Sequence, residues 1–329
     1  MSIPRKADSA RIQTHIEKLK AEPWLGKARG WWPNYLYRFD NIDSAAKIIN
    51  VGKILCRSAA GSAGVLGLDC ASPEIIACTA DKWKHYVRLY FRPRTPTQYD
   101  SEGFRPRDRY VLGAHCPVPV VFLLDASEIL TRADTEFSDG NLAANAATGT
   151  DAHFLERIPF KHVYHDSWFE ASEKATIIFH RHAEAIVPNE LDLSSLRFVG
   201  CRTQAEYETL LHLLEPTPRR EWAAKIGLGA KLSLHYRRWT FVEQVELTRK
   251  KIRFQFNPSS GTPGPFYALV RIHEDAGGNE YVWSSDRFLA NSTLELSLQT
   301  LRSPEAYTVR LELDGQLAYT NHHVEDIPF

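Results

Sequence analysis

The sequence predicts an α+β domain followed by an all-β domain, and three observations carry that reading. Up to about residue 214, helical and strand-like segments alternate. A proline-rich basic stretch, Glu215-Pro216-Thr217-Pro218-Arg219-Arg220, then interrupts the pattern. Beyond it, segments rich in β-branched and aromatic residues recur with turn signals between them. A chain of 329 residues has room for two domains. The expected division is a helical extension over 1–33, an α+β domain over 34–214, a linker over 215–224 and a β-sandwich over 225–329.

Residues 8–22 read as a helix, with Asp8 or Ser9 as N-cap and Ile12, Ile16 and Leu19 on one face. A tryptophan cluster follows (Trp24, Trp31, Trp32), then a short strand over Leu36–Phe39. Asp43–Val51 reads as a helix stopped by Gly52. Residues 57–80 carry few element signals, and Val87–Phe91 is strand-like. The apolar run from Cys116 to Asp125 is typical of a buried strand. Asp139-Gly140-Asn141 is turn chemistry. Ala175–Val187 reads as two short strands or one bulged strand, and Leu196–Cys201 as another. Thr203-Gln204-Ala205-Glu206 is a capping box opening a helix that ends near Leu214. In the C-terminal part, strands are expected over 231–236, 240–247, 251–256, 265–272, 280–284, 293–298 and 307–313, with Gly277-Gly278-Asn279 and Asp314-Gly315 among the turns.

Lys+Arg and Asp+Glu balance at 40 each, so overall charge says nothing about partners. The five cysteines form no CxxC pair, which fits a reduced cytoplasmic protein and argues against a zinc site. No run reaches the roughly 18–20 apolar residues that span a bilayer, and the N-terminus lacks the apolar core of a signal peptide. Charge does cluster locally. Residues 82–109 hold eight Lys/Arg against three acids, interleaved with Trp83, Tyr86, Tyr90, Phe91, Tyr99 and Phe104. Cations that track phosphates beside rings that stack on bases suit single-stranded nucleic acid; a solvated basic surface over core aromatics is the plainer alternative. Arg94 could instead fork onto a pyrophosphate. Glu184 sits among basic residues and against an apolar run, a costly place for an acid without a charged or hydroxylated partner.

Four segments in order resemble the DarT family of toxins, which transfer ADP-ribose from NAD to a base in single-stranded DNA. They are Tyr37-Arg38-Phe39-Asp40-Asn41-Ile42-Asp43, Leu89-Tyr90-Phe91-Arg92-Pro93-Arg94-Thr95-Pro96, Phe137-Ser138-Asp139-Gly140-Asn141-Leu142-Ala143 and His182-Ala183-Glu184-Ala185-Ile186-Val187. The resemblance covers roughly residues 34–214. Many members carry His where Arg38 stands and Thr where Asp40 stands, which puts this chain in a divergent branch.

The resemblance implies an ADP-ribosyltransferase-like fold of two small antiparallel sheets with flanking helices, NAD as substrate, no metal, and a DarG-like macrodomain antitoxin as partner. It implies Glu184 as the catalytic carboxylate beside the ribose; an ion pair with Arg181 is its structural alternative. Arg94 would clamp the NAD phosphates or orient the nicotinamide riboside. Arg38, with Asp40, would hold the adenosine ribose or a phosphate; a salt bridge of Arg38 to Asp43 or Glu184 is the other reading. Tyr37 and Tyr90 would pack on nicotinamide or in the core. Arg88, Arg92, Arg105 and Arg107, with Asp139 and Asn141, would contact the strand. The same fold acting on RNA or protein, or a degenerate binding module, would be the competing outcomes.

Overall fold

The structure is a computed structural model that describes residues 3–64, 70–291 and 293–325. In chain order the first strands are β1 (Tyr35–Asn41), β2 (Lys53–Leu55), β3 (Tyr86–Tyr90), β4 (Pro119–Asp125), β5 (Glu136–Ser138), β6 (Thr148–Gly149), β7 (Glu184–Pro188), β8 (Glu190–Asp192), β9 (Leu196–Cys201) and β10 (Ile226–Leu228). Eight of them form one mixed sheet in the order β10-β9-β4-β1-β3-β7-β5-β6, while β2 and β8 pair separately.

Apart from the parallel pair β10–β9, this sheet is two antiparallel halves joined by a narrow seam. All seven residues of β1 are in register with β4, and all five of β3 with β7. Between β1 and β3 the register is Tyr37↔Tyr90 alone. Two strands that meet at one pair and then part leave a wedge between the halves, and side chains from both can converge there. The expectation of two small sheets is thus met in a joined form.

The apolar run ending at Asp125 is the buried strand β4, whose Val120, Phe122 and Leu124 enter the main core with Leu36 of β1. The opposite side of β1 and β4 buries Tyr37, Val121 and Leu123 under Leu234. The first helix spans Ser9–Lys20 and buries Ile12, Ile16 and Leu19 as its spacing requires. Asp8 stands at its N-cap position, but its carboxylate accepts from the Ala152 amide at 2.5 Å and so serves the start of another helix, Ala152–Arg157. The helix Ile42–Val51 stops at Gly52, whose φ of 77° suits a residue without Cβ.

Several expectations change. Residues 175–179 are helical within Lys174–His180, and the strand begins only at Glu184. The β-branched run looks extended locally, but docking decides. Phe179 lies where a Cβ on Gly140 would be 2.2 Å from its ring, and His180 Nδ1 donates to the Asp139 carbonyl at 2.6 Å. The signal-poor stretch holds short helices at Arg57–Ser62 and Pro73–Cys78, the second capped by Ser72; residues 65–69 lie outside the described residues. The stretch 215–224 contains a helix, Pro216–Trp222, with Pro216 pre-set for its first turn. After it, β10 runs parallel to β9 and extends the main sheet.

The remaining strands are β11 (Val242–Leu247), β12 (Lys251–Phe256), β13 (Phe266–Glu274), β14 (Glu280–Phe288), β15 (Thr293–Ser297), β16 (Ala306–Leu313) and β17 (Gln316–Val324). They form a three-stranded sheet, β11-β12-β15, and a four-stranded one, β14-β13-β16-β17. Ile252, Phe254 and Phe256 alternate inward from one sheet, and Tyr307, Val309, Leu311 and Leu313 from the other. Phe254 meets Tyr319 edge-on at 6.0 Å across the interior. Asp314 and Gly315, with φ of 49° and 75°, form the two-residue turn that joins β16 to β17, a strand the sequence pattern missed. The strand expected over 231–236 is absent; Ala230–Leu232 is a 3-10 turn leading into the junction.

That junction is tied down. Arg202 is fully buried, with Nε donating to Glu206 Oε1 at 2.9 Å and Nη1 to Glu102 Oε1 at 3.3 Å. Glu102 also accepts from the amides of Tyr236 and Arg237. Burial alone would raise its carboxyl, but Arg202, His235 and those amides hold it below the usual range.

Candidate active site

Glu184 opens β7 directly opposite Tyr90, which itself pairs with Tyr37 at the seam. The glutamate is fully buried. Its amide donates to Ser138 Oγ at 3.0 Å, and Ser138 in turn donates to the Gly140 carbonyl at 3.0 Å. The Ser-Asp-Gly-Asn turn therefore sets the start of the strand. One carboxylate oxygen, Oε2, accepts from Arg88 Nε at 2.7 Å. The other, Oε1, is buried without a hydrogen-bond partner among the described residues. Burial raises the carboxyl above its ordinary value, and the charges of Arg88 and Arg38 offset this in part. The ion pair is with Arg88, the residue expected on the strand path, and not with Arg181.

Two clefts share a wall of Arg88, the ion-pair partner of Glu184, Tyr90, its cross-strand neighbour, and Thr97, with Glu184 itself buried behind that wall and in neither lining. The first, about 160 Å³, is lined by Arg38, Phe39, Asp40, Ser44 and Trp83 among others. The second, about 790 Å³, is lined by Arg94, Tyr99, Asn141, Phe169, Arg181 and Tyr236 among others. Arg38 and Asp40 face the first cleft as a bidentate pair, Nε–Oδ2 at 2.6 Å and Nη2–Oδ1 at 2.8 Å. The partner is Asp40, so neither Asp43 nor Glu184 plays that part. Tyr90 stacks on Phe39 at 6.4 Å, and burial pushes its hydroxyl up to about 12.

Tyr37 is not a wall of either cleft. It is packed with Val121, Leu123 and Leu234 beside Phe39 and Tyr90, and its hydroxyl donates to the Trp32 carbonyl at 3.1 Å. Arg92 is fully buried and donates to the carbonyls of Pro93, Val163 and His165 and to Asp166, which takes it out of reach of a strand. Arg105 is also buried, its guanidinium lying between Tyr110 and Trp239. Arg107 is exposed, on a 3-10 turn away from both cleft linings. Asp139 caps the turn at the Ala147 amide, whereas Asn141 caps Ala143 and also lines the second cleft. Arg94 has a φ of 53° and pairs with Asp166, which orients its guanidinium.

Sequence reasoning overlooked Thr97, His182 as a fixed tautomer, and Tyr236. Thr97 lies on the first turn of Pro96–Ser101, a helix signalled by Thr95 as N-cap and Pro96 at the first position. His182 Nδ1 donates to the Ile178 carbonyl at 2.9 Å, which leaves Nε2 to accept from Thr97 at 3.2 Å. Burial, with Arg88 and Arg92 nearby, pushes its pKa down to about 4, so the ring is neutral near pH 7. Tyr236 lies far along the chain, and no local pattern marked it. Among the described residues no cluster of His, Cys, Asp and Glu could hold a metal, and no helix is long and apolar enough to cross a membrane.

Comparison with known families assigns the class: the protein is an NAD-dependent ADP-ribosyltransferase. The family model described as ssDNA thymidine ADP-ribosyltransferase, DarT, matches residues 37–226, more than half of the chain, and the chain belongs to that family. Solved structures similar to it include Thermus sp. 2.9 DarT in complex with ADP-ribosylated ssDNA, at 15% identity and a TM-score of 0.48, over 62% of this chain and 97% of that one. Thermus sp. 2.9 DarT in complex with NAD+ gives 15% and 0.46, over 62% and 98%. Thermosipho africanus DarTG in complex with ADP-ribose gives 16% and 0.45, over 66% and 54%. No curated protein matches the chain.

Proposed function

We propose that the protein transfers ADP-ribose from NAD to thymine in single-stranded DNA, with Glu184 as the catalytic carboxylate. The observation that carries this is the orphan oxygen Oε1. An unpaired buried acceptor costs about 1–3 kcal/mol, and a ribose hydroxyl of bound NAD would satisfy it. The dinucleotide lies across the shared wall, from the Arg38–Asp40 pair to Arg94, whose guanidinium clamps a phosphate. Tyr90 supports the nicotinamide riboside. The acceptor strand enters from the side of Asn141, Lys174 and Arg181.

The chemistry follows from charge. As the bond from ribose C1′ to nicotinamide breaks, the sugar becomes positive, and a fixed carboxylate stabilises that state more than it stabilises NAD. The ring N–H of thymine attacks C1′, its proton passes to the Glu184 carboxylate, and nicotinamide leaves neutral. A single strand exposes that edge of the base without the cost of opening a duplex. Arg88 keeps the carboxylate ionised and aimed. The protein acts in the cytoplasm as a toxin, countered by a macrodomain antitoxin that removes the modification; the family resemblance supports this role.

The test is mass analysis of mixed-sequence oligonucleotides, DNA and RNA, after incubation with NAD. ADP-ribose on thymine of single-stranded DNA is the expected product. Label on RNA or on the protein alone would overturn the proposal.

A further inference from the structure

Residues 37–226 match the family, yet the second cleft has a wall from beyond them. Tyr236 lies in the junction between β10 and β11. Its hydroxyl donates to the Arg94 carbonyl at 2.5 Å, and its amide to Glu102 Oε2 at 2.9 Å. Gln98 bonds both Glu102, at 3.0 Å, and the Leu234 carbonyl, at 2.9 Å, which fastens this segment to the helix that carries Tyr99. The rings of Tyr99 and Tyr236 meet edge-on at 5.1 Å. Tyr99 is 42% exposed, and the guanidinium of Arg238 lies 4.8 Å from its centroid and 4.7 Å from that of Trp239.

The second cleft carries Arg88, Arg94, Lys174 and Arg181 against Asp100 and Asp166, an excess of cations that suits a polyanion, and Arg238 lies beside Tyr99 at its rim. Lys174, Arg181 and the exposed Arg238 form no ion pair among the described residues; Arg181 donates to His165, and Arg238 to the Tyr99 hydroxyl. A rigid aromatic corner beside unpaired cations is what a single strand needs, a face for a base and a charge for the next phosphate.

We infer that Tyr99, Tyr236 and Arg238 form a subsite for a nucleotide flanking the acceptor thymidine, the rings taking its base and the guanidinium its phosphate. This rests on the strand-modifying reading above and adds to it: the C-terminal part of the chain supplies Tyr236 and Arg238 to the DNA path.

The test measures binding of the intact protein to labelled oligonucleotides that carry one thymidine, with an abasic site placed in turn at each flanking position. Tyr99→Ala should weaken binding of the complete strand about tenfold. At one flanking position the abasic strand should cost the wild type a similar factor, and Tyr99→Ala should then cost nothing more. Arg238→Gln should lower the salt slope by about one counterion. Wild-type affinity in Tyr99→Ala, or an equal loss at every abasic position, would overturn the subsite. Transfer assayed on the same strands separates the two readings. If thymidine is modified but no position couples to Tyr99, the subsite alone fails; if the wild type modifies no strand, the reading beneath it fails.

Discussion

Among the described residues, Glu102 and Glu206 beside Arg202, and Glu184 beside Arg88, are arginine-paired carboxylates buried from solvent, and the two centres differ in how far the carboxylates are satisfied. At Arg202, Glu102 and Glu206, the carboxylate oxygens accept from guanidinium, amide or Gln98 donors. At Arg88 and Glu184, one oxygen is bound and the other has nothing. Both glutamates of the first centre and Glu184 are at most 1% exposed, so burial does not separate them. Satisfaction does. A completed network holds a junction together, whereas the incomplete one at Glu184 leaves an acceptor oxygen of the kind the proposed catalytic role requires.

The comparison can be broken most directly at Glu184. Glu184→Gln should lower transfer by about a hundred- to a thousandfold, the range found when a preorganised electrostatic group is lost. Its melting temperature near pH 7 should not fall. The folded carboxyl titrates above its unfolded value, so the ionised side chain weakens the fold at pH above that raised value, and a neutral amide removes the penalty. A large drop in melting temperature would make Glu184 a structural acid like Glu206.

The converse substitution is Arg202→Met. It strands two buried carboxylates and should cost about 3–5 kcal/mol of stability, read from denaturant unfolding. The folded fraction should keep the chemical step at Glu184. Loss of NAD turnover in protein that is still folded would erase the distinction between the centres.

A smaller effect sharpens the comparison. Because burial raises the Glu184 carboxyl and Arg88 opposes this, the acid limb of kcat/KM should lie above the ordinary glutamate value of about 4.3, and Arg88→Met should move it further up. Arg88→Lys should restore part of the shift. A limb that stays in place in Arg88→Met would show that this ion pair does not tune the carboxylate.

The smallest expected effect concerns strand binding. Substituting Lys174 or Arg181 should each reduce the salt slope of oligonucleotide affinity by about one counterion. Arg107→Gln, on a turn away from the clefts, should leave it unchanged. The original basic stretch over 82–109 would be restored as the strand path if the slope followed Arg107 instead.

Local chemistry accounts for what was legible. The spacing of Ile12, Ile16 and Leu19, Gly52 as a helix stop, Thr203 as a cap and the alternation in β12 and β16 all act within a few residues, and each appears as expected. The run 174–180 was misread because short β-branched segments suit either state, and its docking on Gly140 chose the helix. Arg92 and Arg105 counted as surface charge for the same kind of reason. Composition reports a guanidinium but not whether carbonyls or aromatic rings enclose it.

By itself, then, the sequence determined the α+β and all-β parts and the four segments that carry the family. Periodicity, caps and turns are short-range, so they survive in one dimension. Only the tertiary structure decided that Arg88 and not Arg181 meets Glu184, that Tyr37 is buried outside both cleft linings, and that Tyr236 lines the second. Those outcomes depend on strand register and on contacts between residues up to about 140 positions apart, such as Tyr236 with Arg94, which no local pattern encodes.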